Sequence, residues 1–175
     1  MRKVIFGGAN SLDNYIAGPG EAIDWILFGD EAAALMADYW KSFDTLVMGR
    51  KTYEFSVRSG GGGSSPGVKS YVFSRTLPPG PRDGVEFVAD DPAAFVRRLK
   101  GEPGKDICVF GGGEFGTALL EAGGVIDEIG FNVHPVLLGG GVPLFLPMRR
   151  RVNLELLECR PFKNGTVYVR YRVKD

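Results

Sequence analysis

Short, continuous runs of apolar residues recur along the chain and predict its β-strands. Runs of four to eight apolar residues without alternating polar positions are typical of strands buried on both faces of a parallel sheet. The predicted strands are 3–9, 44–48, 71–73, 85–88, 107–110 and 126–133.

Helical spacing fills several of the segments between these runs. Asp30 is predicted to cap a helix that runs to about residue 43. One face of that helix is apolar and comprises Leu35, Met36, Tyr39 and Trp40. Asp91 followed by Pro92 predicts the N-cap and first turn of a second helix, and a third helix ends at residues 118–122. The alternation of strand and helix indicates an α/β protein.

The pattern becomes strictly alternating from residue 152 onwards. Asn164-Gly165, a strong turn dipeptide, separates two alternating segments and predicts an antiparallel hairpin. One face of its second strand carries Val167, Val169, Tyr171 and Val173. We therefore predict a single domain over residues 1–175, with a mixed, mainly parallel sheet between helical layers that ends in an antiparallel C-terminal hairpin.

Composition narrows the range of partners. Lys and Arg equal Asp and Glu at 21 each, so the chain lacks the basic field on which non-specific nucleic-acid or membrane-surface binding depends. Cys108 and Cys159 are far apart and lie in no metal-binding spacing, which argues against zinc and disulfides. No apolar stretch approaches the roughly 20 residues of a membrane span. We expect a soluble cytoplasmic protein in which GGGGSSPG (60–67) forms a flexible surface loop.

Glycine, hydroxyl and cationic residues follow three of the predicted strands. They are Gly-Arg-Lys-Thr at 49–52, Ser-Arg at 74–75 and the glycine triplet 111–113. In an open α/β sheet ligands bind where strands end and helices begin, and free N–H groups at a helix start bind phosphate. Each motif alone also suits a solvated helix start or a tight turn. Together they favour a ligand with several phosphates.

Residues 111–116 spell GxGxxG, the spacing of the dinucleotide fingerprint. The motif lies late in the chain, however, and the following predicted strand ends at His134-Pro135 instead of an acidic residue. A standard Rossmann domain is therefore disfavoured.

Four segments, in order, cover nearly the whole chain: SLDNYIAG (11–18), LVMGRKTYE (46–54), VFSR (72–75) with VFGGGEFGTALLEAG (109–123), and HPVLLGGGVPLF (134–145). On these segments the chain resembles the dihydrofolate reductase superfamily, most of all the branch related to the C-terminal reductase domain of bacterial riboflavin biosynthesis proteins. The resemblance implies a dihydrofolate reductase-like three-layer α/β/α fold. It also implies that NADPH lies across the strand ends.

The resemblance assigns parts of the cofactor to the three junctions. Residues 49–52 would hold phosphates, 74–75 the 2′-phosphate and 111–115 the pyrophosphate, with the loop 11–18 beside the nicotinamide. The implied cofactor-binding residues are Ile16, Ala17, Gly49, Arg50, Lys51, Thr52, Ser74, Arg75, Gly111, Gly112, Gly113, Glu114 and Phe115.

The resemblance also implies two backbone features. Asn14 stands where the superfamily often has glycine, in a left-handed turn that asparagine tolerates best among the other residues. Relatives often carry a cis peptide within the glycine pair, so we expect one between Gly111 and Gly112.

Departures from the family patterns limit the substrate. Ala33 stands where folate reductases place the carboxylate that grips the pterin, and Tyr15 where riboflavin-pathway reductases usually have lysine. Neither substrate is therefore favoured. The predicted lining of the substrate pocket, for which ordinary core packing is the alternative, is Trp25, Phe28, Leu35, Tyr39 and Tyr53.

Acid–base candidates are few. Asp13 lies in the loop beside the nicotinamide, where the favoured alternative is that its carboxylate hydrogen-bonds the turn backbone. Glu31 can point into the cleft or remain an exposed first-turn carboxylate. Asn132 aligns with the polar residue beneath the substrate in folate reductases, and His134 suits a structural role at its strand end.

Two functions remain open. One is an NADPH-dependent reductase of a small pterin-, pyrimidine- or flavin-like heterocycle, and the other is a non-catalytic NADP(H)-binding protein that serves as a sensor or interaction module. A homodimer is expected, because the segments LLGGGVPLF and the apolar tail strands resemble those that relatives use to dimerise. No metal is expected.

Overall fold

A nine-stranded mixed sheet lies at the centre of the computed structural model, which describes residues 1–174. The strands are β1 (Val4–Ser11), β2 (Tyr15–Ala17), β3 (Phe43–Gly49), β4 (Lys69–Phe73), β5 (Gly80–Arg82), β6 (Val85–Val88), β7 (Asp106–Phe110), β8 (Glu128–His134), β9 (Val142–Pro143), β10 (Asn153–Pro161) and β11 (Val167–Lys174). The helices are α1 (Asp30–Ser42), α2 (Arg50–Arg58), α3 (Pro92–Gly101) and α4 (Gly113–Glu121).

The strand order is β10-β11-β8-β1-β7-β3-β4-β6-β5. The six strands from β8 to β6 are parallel, whereas β11, β10 and β5 pair antiparallel at the two edges. β2 and β9 form a separate two-stranded ribbon. The predicted mixed, mainly parallel sheet with an antiparallel C-terminal hairpin is confirmed.

Most predicted strands agree with the structure to within two residues, and 85–88 agrees at both ends. The strand predicted at 126–133 starts later, at residue 128, after Asp127 has donated its backbone N–H to Val4 O. β2, β5 and β9 were not predicted, because two or three residues are too few to show an apolar pattern.

One of the two predicted N-caps differs from the structure. Asp91 caps α3 as predicted, since its Oδ1 accepts the N–H of Ala94 at 2.8 Å. Asp30, in contrast, is the first helical residue of α1, and extended Gly29 occupies the N-cap without a side-chain bond. An aspartate in the first turn still favours the helix, because it lies at the positive end of the helix dipole.

Two apolar clusters, one on each face of the sheet, form the core. The larger includes Phe6, Val47, Ile107 and Val109 and packs against α3 and α4. The smaller, on the face of α1 and α2, consists of Phe43, Leu46, Met48, Val72, Val85, Phe87 and Cys108. Helices therefore cover both faces, as the predicted three-layer arrangement requires.

The peptide bonds of the described residues are all trans, so the expected cis bond between Gly111 and Gly112 is wrong. Gly111 adopts a φ of 98°, in the region open chiefly to glycine, and the chain turns there through a trans bond. Asn14 does adopt the expected left-handed conformation, with a φ of 64°.

Candidate cofactor and acceptor site

The three junctions predicted to bind phosphates lie side by side in the sheet. β7, β3 and β4 are consecutive parallel strands, so their carboxyl ends meet at one edge. Residues 111–113 follow β7, 49–52 follow β3, and 74–75 follow β4. The fold therefore brings together, at one edge of the sheet, three motifs that are spread over about sixty residues of the sequence.

Two helices begin at this edge without side-chain caps. The N-caps of α2 and α4 are Gly49 and Gly112, and neither helix start receives a side-chain hydrogen bond. α3, by comparison, is capped by the Asp91 carboxylate. In α4 the first N–H, that of Gly113, donates to Leu144 O at 2.9 Å. The N–H groups at the start of α2 and those that follow Gly113 in α4 receive no side-chain cap and suit water or an anionic ligand.

Glycine allows these helix starts and the β2 segment to approach one another. A β-carbon at Gly111 would overlap Thr52 Oγ1. At Gly112 a β-carbon would lie 2.9 Å from Ile16 Cδ1, and at Gly49 it would lie 3.3 Å from Phe115 Cβ. The structure therefore brings Ile16, Thr52 and Phe115 together around the glycines of the two junctions.

The cations at the edge are paired, but the pairs are exposed. Arg50 Nη1 lies 2.7 Å from Glu54 Oε1 within α2. Lys51 Nζ lies 2.7 Å from Glu114 Oε1, and this pair bridges the starts of α2 and α4. Exposed ion pairs typically contribute about 0–1 kcal/mol, so both cations can turn to a phosphate at small cost.

Ser74 and Arg75 provide further donors at the end of β4. The buried Ser74 Oγ accepts the N–H groups of Leu77 at 2.9 Å and Thr76 at 3.2 Å, and it lies 3.4 Å from Thr76 Oγ1. Arg75 is exposed and makes no ion pair with any of residues 1–174. The donor set fits an anionic, multiply phosphorylated cofactor.

The Asp13 carboxylate holds two loops together. Its oxygens accept from Ser11 Oγ at 2.6 Å and from the backbone N–H groups of Leu138 at 3.1 Å and Gly139 at 2.8 Å. The hydrogen bond from Ser11, assisted by those from the backbone, lowers the pKa of Asp13 below its ordinary value of 3.8. Asp13 thus fixes the loop beside Ile16 and Ala17, which is the structural alternative that the sequence left open.

Glu31 does not point into the cleft. It is exposed, and its Oε2 accepts the N–H of Lys163 in the hairpin turn at 2.8 Å. The cleft-facing alternative for Glu31 is therefore wrong, because the first turn of α1 lies against the turn between β10 and β11.

The residues of the predicted pocket lining differ in burial and in packing. Leu35 and Tyr39 are half-buried on α1, and Trp25 packs edge-on against His134 with ring centroids 5.2 Å apart. Phe28 is 89% exposed and lines no enclosed surface. Tyr53 packs against the smaller core cluster, as Tyr39 also does, and its ring centroid lies 5.2 Å from that of Phe87, so both tyrosines contribute to core packing.

Helix α1 rests lightly on the sheet. None of its residues is fully buried, and Met36 and Trp40, expected on its apolar face, are 45% and 39% exposed. The sheet beneath α1 carries Asn132, whose buried Oδ1 has no hydrogen-bond partner among the described residues. Asn132 therefore offers an acceptor on the face of the sheet that α1 covers.

Sequence reasoning missed Tyr168, which lies beside Asn132. The two residues are register partners on β11 and β8. The alternating pattern of β11 drew attention to the apolar face that begins at Val167, whereas Tyr168 belongs to the opposite face. The same alternating pattern, applied to both faces of the strand, places Tyr168 on the face opposite Val167.

Two other concave surfaces lie away from the junctions. One of about 500 Å³ includes Arg2, Asp44 and Lys69, and one of about 240 Å³ includes Gly29 and Lys163. Neither contains a residue of 49–52, 74–75 or 111–115. The candidate cofactor site therefore lies outside both of these surfaces.

Residues 1–174 contain no helix of the length and apolarity needed to cross a membrane. Within the same part of the chain, no three His, Cys, Asp or Glu side chains are grouped so as to hold a metal ion.

Comparison with known proteins defines the class of this fold and site. Residues 2–168 match the family described as the RibD C-terminal domain. Two Bacillus subtilis (strain 168) proteins are similar: YyaP is 31% identical, with coverage of 98% of this chain and 95% of YyaP, and YwjB is 32% identical, with 92% of each chain covered. Both are described as uncharacterized proteins.

Solved structures extend the comparison. A Shewanella sp. PV-4 protein named for riboflavin biosynthesis is 25% identical, with a TM-score of 0.85 and full coverage of both chains. Dihydrofolate reductase from Enterococcus faecalis, complexed with NADP(H), shares the fold with a TM-score of 0.72 at 19% identity, covering 99% of this chain and 97% of the enzyme. The chain belongs to the RibD C-terminal domain family and has a dihydrofolate reductase-like fold.

Proposed function

We propose that this protein is an NADPH-dependent reductase that transfers a hydride to a small heterocycle of the pterin, pyrimidine or flavin type. The proposal rests on one observation, the alignment of three donor-rich junctions at the carboxyl ends of β7, β3 and β4. Membership of a reductase-domain family and the shared fold with an NADP(H)-binding reductase support it.

NADPH supplies the hydride when bound, and the residues of this chain bind and orient it. The uncapped starts of α2 and α4, with Arg50, Lys51 and Thr52, would hold phosphates. Ser74 and Arg75 would hold the 2′-phosphate. Ile16 and Ala17, fixed by the Asp13 hydrogen bonds, would lie beside the nicotinamide. Hydride transfer asks little more of a protein than such positioning.

None of the three predicted catalytic side chains is suited to donate the proton that the reduced acceptor requires. Asp13 is engaged by three donors, and Glu31 lies outside the cleft. Asn132 can orient an acceptor but has no acidic proton. We therefore propose that Asn132 positions the acceptor and that water or another hydroxyl delivers the proton.

The proposal is tested by following loss of NADPH absorbance with a panel of pterins, flavins, quinones and pyrimidinones. Oxidation that depends on one of these acceptors supports the reductase. Tight NADPH binding without turnover of any acceptor would favour the alternative, a non-catalytic NADP(H)-binding sensor or interaction module. A protein that binds neither NADPH nor NADP⁺ would contradict both.

We further propose that the protein is a homodimer. The edge strand β10 exposes Leu154 at 43% and Leu156 at 56%, and the loop after β8 exposes Leu137 at 70%. Exposed apolar side chains on a sheet edge favour pairing with a second copy. Sedimentation equilibrium measures the mass directly, and a monomer at micromolar concentration would contradict the assembly.

A further inference from the structure

Two adjacent glycines leave the sheet without side chains beneath α1. Gly7 of β1 and Gly130 of β8 are register partners in parallel strands. A β-carbon at Gly7 would lie 2.7 Å from Gly130 O and 3.5 Å from Tyr39 Oη, and one at Gly130 would lie 2.7 Å from Tyr168 Oη. One phenol from α1 and one from β11 therefore occupy the space above the glycine pair.

The two hydroxyl groups differ in their partners. Tyr39 Oη donates to Cys108 Sγ at 3.3 Å, so its orientation is fixed by β7. Tyr168 is half-buried, and no described residue forms a hydrogen bond with its hydroxyl. Burial raises the pKa of both phenols, so both are neutral donors at neutral pH.

Beside Tyr168 lies an unused acceptor. Asn132 is the register partner of Tyr168, and its Oδ1 is buried without a hydrogen-bond partner among residues 1–174. Most buried polar atoms in folded proteins are paired, and those that are not often mark a place where a ligand or water binds. A free donor, over Gly130, and a free acceptor, two residues further along β8, therefore lie on the same face of the sheet beneath α1.

The carboxylates near Tyr168 are already paired. Glu128 Oε1 lies 2.8 Å from Lys3 Nζ, and its Oε2 lies 3.4 Å from Arg170 Nη1. Glu158 lies 3.1 Å from Arg160 and 3.5 Å from Arg170. A positively charged ring would find no unpaired counter-charge at this point.

We propose that Tyr168 and Asn132 bind the acceptor of the reductase, and that they select an uncharged ring over a protonated base. The Tyr168 hydroxyl donates to a carbonyl oxygen of the ring, and the Asn132 amide oxygen accepts a ring N–H. Tyr39, held by Cys108, is a positioning residue on the other side of the glycine pair. The inference rests on the proposed function but is tested without turnover.

Two pteridines with the same ring system provide matched probes. Lumazine carries two carbonyl groups, whereas 2,4-diaminopteridine carries two amino groups at the same positions. Calorimetric titration of each into the protein saturated with NADP⁺ measures binding without hydride transfer. We expect lumazine to bind at least about tenfold more tightly, because its carbonyl oxygen accepts from the Tyr168 hydroxyl, whereas 2,4-diaminopteridine presents an amino group, a second donor, at that position.

The decisive variant is Tyr168→Phe, with Tyr171→Phe as its control. Tyr171 lies on the same strand, but it faces the other side of the sheet and packs against the larger core cluster. Tyr168→Phe should weaken lumazine binding about three- to tenfold and leave diaminopteridine and NADP⁺ binding unchanged, whereas Tyr171→Phe should change none of the three. Equal lumazine affinity in Tyr168→Phe and wild type would overturn the proposal, as would absence of lumazine binding to wild type.

Stability separates this role from simple packing. Tyr168→Phe removes a hydroxyl that has no partner, so the thermal midpoint should not fall. A second variant, Gly130→Ala, displaces the Tyr168 hydroxyl without removing it and should also weaken lumazine binding. If lumazine binds as expected but NADPH is never oxidised by any acceptor, the reductase proposal fails while this assignment stands.

Discussion

Arg75 allows a single-residue test of cofactor choice. An NADH site would place an acidic residue where the adenosine ribose binds, whereas this chain places after β4 an exposed guanidinium that makes no ion pair with any of residues 1–174. A hydrogen bond to a charged group contributes about 1.5–3 kcal/mol, or roughly tenfold to hundredfold in affinity. Arg75→Ala should weaken NADPH binding by that factor, leave NADH binding almost unchanged and reduce the salt dependence of the preference.

Intrinsic fluorescence titration with both cofactors provides the measurement. Arg82→Ala is the matched control, since Arg82 is also exposed but pairs with the first residue of β6, at the opposite edge of the sheet. Equal weakening of NADH and NADPH in Arg75→Ala would show that Arg75 does not bind the 2′-phosphate.

The two cysteines should differ sharply in reactivity. Burial raises the pKa of the Cys108 thiol to about 12, whereas Cys159 is exposed on β10. Because the thiolate is the nucleophile, iodoacetamide at mildly alkaline pH should label Cys159 in the native protein and Cys108 only after unfolding. Mass spectrometry of Cys159→Ser should find no native labelling. Rapid labelling of that variant would mean that Cys108 is accessible.

The raised pKa of the Cys108 thiol also makes stability depend on pH in the alkaline range. Unfolded Cys108 ionises above its ordinary pKa of 9.0, while the folded thiol keeps its proton to about pH 12. Between about pH 9 and 12 the unfolded state therefore binds fewer protons than the folded state. The contribution of Cys108 to the free energy of unfolding falls as the pH rises through this range.

At the scale of elements, the turn from β7 into α4 depends on its glycines in different ways. Gly111→Ala should lower the free energy of unfolding by about 2 kcal/mol or more, because φ is 98° and the new β-carbon would overlap Thr52. Gly112 is extended, and the nearest atom to an added β-carbon is the end of the Ile16 side chain. Gly112→Ala should therefore cost less than about 1 kcal/mol.

For Gly112→Ala we expect a larger effect on NADPH affinity than on stability. Displacing Ile16 alters the surface beside the proposed nicotinamide site, so Gly112→Ala should weaken NADPH binding more than it lowers stability. Urea unfolding and cofactor titration of both variants measure the two quantities. A Gly111→Ala protein as stable as wild type would contradict this account of the turn.

At the scale of the whole molecule, a polar network ties the amino ends of β1 and β3 to the loop before β7. The buried Arg2 guanidinium pairs with the Asp44 carboxylate and donates to Lys105 O, and Asp44 Oδ2 accepts the N–H of Lys105 at 2.8 Å. Burial opposes ionisation of Asp44, but the hydrogen bonds from Lys105 and Thr45 and the Arg2 charge outweigh it and lower its pKa below 3.8.

A carboxyl group whose pKa is lower in the folded than in the unfolded protein stabilises the fold at pH values above its unfolded pKa. The contribution of Asp44 is therefore present above about pH 3.8 and lost as pH falls through the lower folded pKa. Asp44→Asn should lower the free energy of unfolding at pH 7 by about 2 kcal/mol, which is less than for a fully buried pair because Asp44 is partly exposed. It should also flatten the acid limb, which is the fall in stability as the pH decreases from 7 to 3. Urea unfolding from pH 3 to 7 measures this, with Asp38→Asn in the exposed pair with Lys41 as the control. An unchanged acid limb in Asp44→Asn would contradict the role of the network.

The sequence alone determined the elements and their chemistry wherever local physics decides them. Apolar runs identified the six parallel strands, Asp91 identified the start of α3, and Asn164-Gly165 identified the hairpin. The glycine, hydroxyl and cation residues at strand ends form a local pattern that indicated a phosphate site, and the resemblance of four ordered segments to a known superfamily indicated the family and the fold. These features depend on neighbours within a few residues.

Tertiary structure decided what depends on distant neighbours. Only the strand order puts β7, β3 and β4 side by side, and only the packing shows that Glu31 meets the hairpin turn and that Tyr53 lies in the core. The approach of Tyr39 and Tyr168 over Gly7 and Gly130 joins four elements far apart in the chain. No local pattern contains such a contact, because it arises from sheet register and helix placement, which are set by the burial of the whole core.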